Sequence, residues 1–244
     1  MASDPIFFEL SWSILSTIGA CNVFFGLLVI SVTNLSPIAA VPLVTSTACA
    51  IANGLCFYAF YLPTVPSTNR AVASAFADMA WLIQEAGMSL YSYVILSRIL
   101  RDRQWYVYAG LFWTTMVAIV VVRINIAVAR IMYINGHNAA LQRTVNYLHM
   151  AYFPFIAVLE SVNAFYLLRT FAHAQMSCLR RQSKASLLRY LMRSTEVRLA
   201  LLALVGIMRA VTYWFQDRAQ RATNLASQVD RFCYTMECLF PIIM

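Results

Sequence analysis

The chain has 244 residues, of which 61% are hydrophobic and 11% charged, with a formal net charge of +8. A soluble domain of this size carries roughly 25% charged residues, so the polar surface needed to stay in water is missing, and the length suits one membrane domain (residues 1–244) without a second, soluble one. The basic excess is no nucleic-acid signature: Lys184 is the only lysine among 18 basic residues, the arginines are scattered at the ends of apolar runs or inside them, and no RNA- or DNA-binding module is readable, so no nucleic-acid partner is expected.

Residues 1–11 hold Asp4 and Glu9 but no basic residue, unlike a cleaved signal peptide, so 12–32 reads as a first, retained helix. Asn34, Ser36 and Pro37 end it, and a second span over 38–62 is closed by Pro63 and Pro66. Spans over 71–96 and 105–131 follow, then a turn at Asn135-Gly136-His137-Asn138, and further spans over 145–168, 187–215 and 225–244. The predicted fold class is an all-α integral membrane protein, a bundle of about seven transmembrane helices of ~20–25 residues each. Six cysteines without a CxxC pair are expected to be small packing residues (Cys178 alone falling in a loop), with no disulfide framework, zinc site or redox motif.

Basic residues alternate between the connections. Arg98, Arg101 and Arg103 follow the third span, and Arg169, Arg180, Arg181, Lys184 and Arg189 surround the connection after the fifth. The opposite side has only Arg70, Arg143, Arg218 and Arg221. The positive-inside rule then puts the N-terminus outside or lumenal and the C-terminus in the cytosol, and the expected location is the endoplasmic reticulum, as a multi-pass protein.

Six of the ten acidic residues fall within spans: Asp78, Glu85, Glu160, Glu196, Asp230 and Glu237. A charge at the centre of a transmembrane helix costs about 2.5–3.5 kcal/mol on insertion scales, so such residues face the bundle interior, pair or stay protonated. Helical spacing aligns Asp78, Trp81, Glu85, Ser89 and Ser92 on one face of the third helix. It aligns Asn146, His149, Phe153, Ile156, Glu160 and Asn163 on the fifth, and Thr223, Ser227, Asp230, Tyr234, Glu237 and Pro241 on the seventh. Three such stripes can converge on one cavity. Arg123, Arg130, Arg198, Arg209 and Arg231 can neutralise most of the acids as buried ion pairs, so a structural role stands beside a chemical one. No His, Cys and Asp cluster has metal-ligand spacing, and neither a metal nor another cofactor is expected.

With Lys184 in a loop, no lysine is available for a retinal Schiff base. A transporter, a receptor-like protein and an accessory membrane protein all remain compatible with the composition. The remaining class is an intramembrane enzyme using acid catalysis on a lipophilic substrate: there is no Ser/His pairing, no glycine-rich phosphate loop and no aspartate-rich motif for ionising a diphosphate. A carboxylic acid in a low-dielectric pocket tends to keep its proton and can give it to an epoxide or olefin. Aromatic faces beside it stabilise positive charge developing on carbon.

Residues 81–96 (WLIQEAGMSLYSYVIL), 193–204 (RSTEVRLALLAL) and 229–241 (VDRFCYTMECLFP) resemble the small membrane-bound terpene cyclases of fungal meroterpenoid pathways, of the ascofuranone and ascochlorin type. The resemblance extends in length and helix layout to nearly the whole chain. It implies an isomerase- or lyase-type cyclase of secondary metabolism that protonates an epoxide of a farnesylated aromatic precursor, a prenylated phenol, and cyclises it without metal. The candidate catalytic residues are Glu85, Asp230 and Glu237. Trp81, Ser89, His149, Glu160, Asn163, Glu196, Arg209 and Tyr234 are candidates to support them or bind substrate. Ala86, Gly87 and Ala226 are expected to leave room for the prenyl chain where the third and seventh helices face each other, the substrate entering laterally from the bilayer.

Overall fold

The structure is a computed structural model, and the residues it describes are 11–62, 64–136, 138–179, 197, 201–202, 204–212, 215 and 225–243. Among these the chain is all-helical, without a strand. The helices are α1 (Ser11–Val32), α2 (Pro37–Tyr61), α3 (Ser67–Ile99), α4 (Asp102–Gly136), α5 (Ala139–Leu179), a segment over 204–212 here called α6, and α7 (Leu225–Ile243). The predicted spans coincide with α1 to α5 and α7 in place, but several helices run past the apolar stretch. α5 continues to Leu179, so Cys178 belongs to a helix and not to a loop, and α4 and α5 nearly meet at the expected turn. Hydropathy marks only the lipid-depth part of a helix; the helix itself continues until a backbone breaker or cap stops it. Much of the predicted span over 187–215 lies outside the described residues.

The caps explain the boundaries. Ser36 is extended (φ −114°, ψ 156°) and its hydroxyl accepts from the Ala39 N–H at 3.1 Å, with Pro37 opening α2 where no N–H is needed. Asn138 does the same for α5, its Oδ1 accepting from the Ala140 N–H at 2.9 Å. The short link between α3 and α4 is closed by Asp102 at φ 54°, a left-handed conformation that Asp tolerates better than bulky residues. Pro42, Pro154 and Pro241 all lie inside helices, as packed membrane helices allow.

α2 packs between α1 and α3, α3 meets α4 and α5, α4 lies along α5, and α7 returns to α1 and α2. Burial is inverted relative to a soluble protein. Asp78, Gln84, Arg123 and Asn163 are at most 2% exposed, whereas Phe24, Phe76 and Val32 are 64–82% exposed on the outside. Four helices are long and apolar enough to cross a bilayer: Trp12–Val32, Pro37–Tyr61, Asp102–Gly136 and Ala140–His173. α3 and α7 are more polar because they carry Asp78, Glu85, Asp230, Arg231 and Glu237, all of them buried. Cys49, Cys56, Cys233 and Cys238 are buried and in no disulfide, as expected of packing residues, whereas Cys21 on α1 is exposed.

Close approach of α1 and α2 depends on Gly19, where an added Cβ would lie 2.6 Å from the Ala50 nitrogen and 2.9 Å from its Cα, both backbone atoms that cannot step aside. At Gly110 an added Cβ would meet nothing within 4 Å. Gly19→Val is expected to destabilise the bundle by about 1–3 kcal/mol, measured by reversible unfolding in detergent micelles, while Gly110→Val leaves the transition near its wild-type position. Equal effects of the two substitutions would mean that α1 and α2 are not in backbone contact at Gly19.

Candidate functional site

The three polar stripes are turned inward. Asp78, Trp81, Glu85, Ser89 and Ser92 of α3 are all buried, as are His149, Phe153, Glu160 and Asn163 of α5 and Ser227, Asp230, Tyr234 and Glu237 of α7. α4 adds Arg123 and Arg130, two turns apart on the same face, and α6 adds Arg209. Burying these stripes against one another is what allows helices of such polarity to sit within an apolar exterior.

Arg209 is the centre. Its Nη1 lies 3.0 Å from Glu85 Oε1 and 2.5 Å from Glu237 Oε2, and its Nε lies 3.4 Å from Asp230 Oδ1. The guanidinium is stacked 4.3 Å from the Phe153 ring centroid and 4.8 Å from that of Tyr234. The three carboxylates predicted as catalytic, drawn from two helices, therefore share one cation. Arg123 continues the network, 3.6 Å from Glu85 Oε2 and 3.5 Å from Asp78 Oδ1, with the rings of Trp81 and Tyr152 at 5.3 and 4.9 Å. Arg130 Nη1 grips both oxygens of Asp78, at 2.8 and 2.9 Å. Its Nη2 donates to His149 Nε2 at 3.2 Å, which leaves the Nδ1–H of His149 to donate to the Val145 carbonyl at 2.8 Å. Both imidazole nitrogens are thus engaged, one with Arg130 and the other with the backbone of α5. Arg231 lies over the Trp12 ring at 3.7 Å.

A neutral hub adjoins this ionic network. The Tyr234 hydroxyl accepts from Trp81 Nε1–H at 2.7 Å, and its own hydrogen is shared between Gln84 Oε1 at 2.9 Å and Asn53 Oδ1 at 3.2 Å. Asn22 Nδ2 donates to the Cys238 carbonyl at 2.7 Å and ties α1 to α7. The space left between Trp81, Glu85, Arg123, His149, Arg209 and Tyr234 is a cavity of about 20 Å³, on the scale of one water molecule.

Glu160 and Asn163 belong to a separate group. The Ser89 hydroxyl donates to Glu160 Oε1, Asn163 Nδ2 reaches the Ser89 carbonyl at 3.5 Å, and the Tyr108 hydroxyl donates to Asn163 Oδ1 at 2.8 Å. Of the remaining predicted residues, Glu196 lies outside the described residues. Gly87 and Ala86 do not face α7: they line an apolar groove of about 310 Å³ formed with α2 and α4, where a Cβ on Gly87 would meet Thr45 Cγ2 at 3.0 Å. The spacing places Gly87 two residues past Glu85, some 200° around the helix, which turns it away from the polar face.

Sequence reasoning passed over Gln84, Asn53, Tyr108 and Trp12. Gln84 and Asn53 carry a usable signal, since an amide within an apolar span must find a partner inside the bundle; Tyr108 and Trp12 resemble any interfacial aromatic. Among the described residues no group of three or more His, Cys, Asp or Glu side chains is arranged to hold a metal ion. No protein-family model, no curated protein and no solved structure matches the chain.

Tyr234→Phe removes one oxygen and leaves the Trp81 N–H without its acceptor, and the Gln84 and Asn53 carbonyls without a donor. The expected loss is about 1–3 kcal/mol of stability, and Trp81→Phe in the Tyr234→Phe background should cost less than it does alone. Additive losses in a double-mutant cycle would show that the two side chains do not share a hydrogen bond.

Proposed function

We propose that the chain is a membrane-bound terpene cyclase, which protonates an epoxide or olefin of a farnesylated aromatic precursor and closes its prenyl chain into rings without a metal. The observation that carries this reading is the convergence of Glu85, Asp230 and Glu237 on Arg209, under aromatic faces and at the centre of a bundle with an apolar exterior. Such a site has the parts that an acid-initiated cyclisation needs. Carboxyl groups move protons, and fixed negative charge stabilises the positive charge that develops on carbon. The faces of Trp81, Phe153 and Tyr234 add up to ~2 kcal/mol each when desolvated, without attacking the cation. With room for about one water, the site also protects a carbocation from premature quenching.

The substrate class follows from the surroundings. A prenylated phenol partitions into lipid, each buried methylene contributing about 0.8 kcal/mol. A groove of about 470 Å³ between α5 and α6 is lined by Pro154, Ala157, Ile207, Ala210 and Val211, of which Pro154 and Ala210 follow Phe153 and Arg209 in sequence. It supports lateral entry, the helices parting to admit the prenyl chain. In this reading α3, α6 and α7 also cross the bilayer, giving seven spans: α3 at 33 residues and α7 at 19 residues reach ~50 and ~28 Å. The N-terminus is lumenal and the C-terminus cytosolic, in the endoplasmic reticulum.

Microsomes carrying this chain, fed a farnesylated phenolic epoxide, are expected to give a product of unchanged mass and altered retention, insensitive to EDTA. Glu85→Gln, Asp230→Asn and Glu237→Gln should each lower turnover by roughly 10²–10⁴-fold, with normal membrane insertion. Full turnover in all three variants would move the chemistry elsewhere. Uptake into sealed vesicles with no isomerised product would replace the cyclase by a transporter.

A further inference from the structure

The buried charges fall into two unequal groups. Asp78, Glu85, Asp230 and Glu237 are accompanied by Arg123, Arg130, Arg209 and Arg231, four acids and four guanidinium groups, all buried. In this set each acid lies within ion-pair distance of at least one guanidinium group, four negative groups set against four positive ones. Glu160 is the fifth buried acid among the described residues, 3% exposed, and none of the six ion pairs found there includes it. Among the described residues a titratable neighbour of Glu160 is the phenol of Tyr108, which supplies no positive charge. Its Oε1 accepts from Ser89, while its Oε2, fully buried, has no hydrogen-bond partner.

We infer that Glu160 is carried as a neutral carboxylic acid and hands the initiating proton to the substrate, a neutral lipophile with an oxygen acceptor such as an epoxide. The geometry accounts for both oxygens: Oε1 is the carbonyl that accepts from Ser89, and Oε2 carries a hydrogen for which no described residue provides an acceptor. As a carboxylate Glu160 would keep the Ser89 hydrogen bond but have no counter-charge among the described residues, an arrangement that proteins avoid by protonation. Ser89 lies four residues beyond Glu85 on the same face of α3, one helical turn or ~6 Å along the axis. The proposed donor therefore lies one helical turn along α3 from the carboxylates that share Arg209, an acid with no described cation beside acids that have one.

The proton-donor part rests on the cyclase reading; the neutral acid does not. In the cyclisation the O–H bond of Glu160 breaks and its hydrogen bonds to the epoxide oxygen. The C–O bond opens with its electron pair kept on that oxygen as a new hydroxyl, leaving the positive charge on carbon. After ring closure a C–H proton passes to an Arg209-bound carboxylate, Glu85 being the nearest along α3, and returns to Glu160. Atoms and electrons balance, and the net change is an isomerisation.

Infrared spectroscopy of the full-length protein in lipid nanodiscs at neutral pH tests the first part without any substrate. The wild type should show the carbonyl stretch of a protonated carboxyl, shifted by deuterium exchange. The band should be absent in Glu160→Gln and displaced in Ser89→Ala, which keeps the acid but removes its donor. A band that persists in Glu160→Gln, or a wild type without one, overturns the neutral acid. The second part is read from kinetics: Glu160→Gln should lower kcat by at least ~100-fold with little change in KM, and wild-type turnover by it overturns the proton-donor role. If the band behaves as expected but no farnesylated epoxide is cyclised by the wild type, the cyclase reading fails and the neutral acid stands.

Discussion

One guanidinium bound to three carboxylates constrains everything around it. Arg209 is one of the few described polar residues of α6, and its ion pairs reach α3 through Glu85 and α7 through Asp230 and Glu237. Taking these charges out of water is costly, and their mutual attraction offsets the cost only if the geometry is kept. The helices that carry them are therefore held to one register, because sliding any of them by a turn would strand a charge in an apolar interior. Close packing of α1 on α2 at Gly19 and the Asn22 tie to α7 complete the enclosure.

The bundle uses two physical solutions for buried polarity, side by side. Around Arg209, Arg123 and Arg130, opposite charges cancel, aided by aromatic faces against the guanidinium planes. Around Tyr234, uncharged donors and acceptors are matched instead, and Glu160 takes a hydrogen bond from the Ser89 hydroxyl. The first kind fixes a strong field; the second kind leaves groups that can exchange a proton without losing an ion pair. The two lie within a helical turn of each other along α3, where the proposed cyclisation would draw on both.

Much of this was legible in the residues. The period of Asp78, Trp81, Glu85 and Ser89 predicts the inward face of α3, since charges that cost several kcal/mol in lipid leave no other choice. The same reasoning brings Asp230, Tyr234 and Glu237 together on α7. Which arginine meets which acid was not legible, because pairing depends on helix rotation and depth, and these are set by packing between helices far apart in sequence. His149 illustrates the gap: its spacing places it on a polar face, but only the bundle brings its Nε2 against Arg130. Gly87 errs in the other direction, since adjacency to Glu85 in sequence means the opposite side of a helix. Helix ends were misjudged where polar residues continue α5 to Leu179 beyond the apolar stretch.

The central claim is that Arg209 and the carboxylates of α3 and α7 form one coupled unit, and a double-mutant cycle on stability tests it most directly. Arg209→Met, Glu237→Gln and the double variant would be compared by reversible unfolding in mixed detergent–lipid micelles. Arg209→Met alone should cost about 3–5 kcal/mol, because it leaves buried carboxylates without their cation. The double variant should recover part of that loss, with an interaction energy of about 1–3 kcal/mol. Strictly additive losses, or an Arg209→Met variant as stable as the wild type, would contradict the coupled unit and the site built on it.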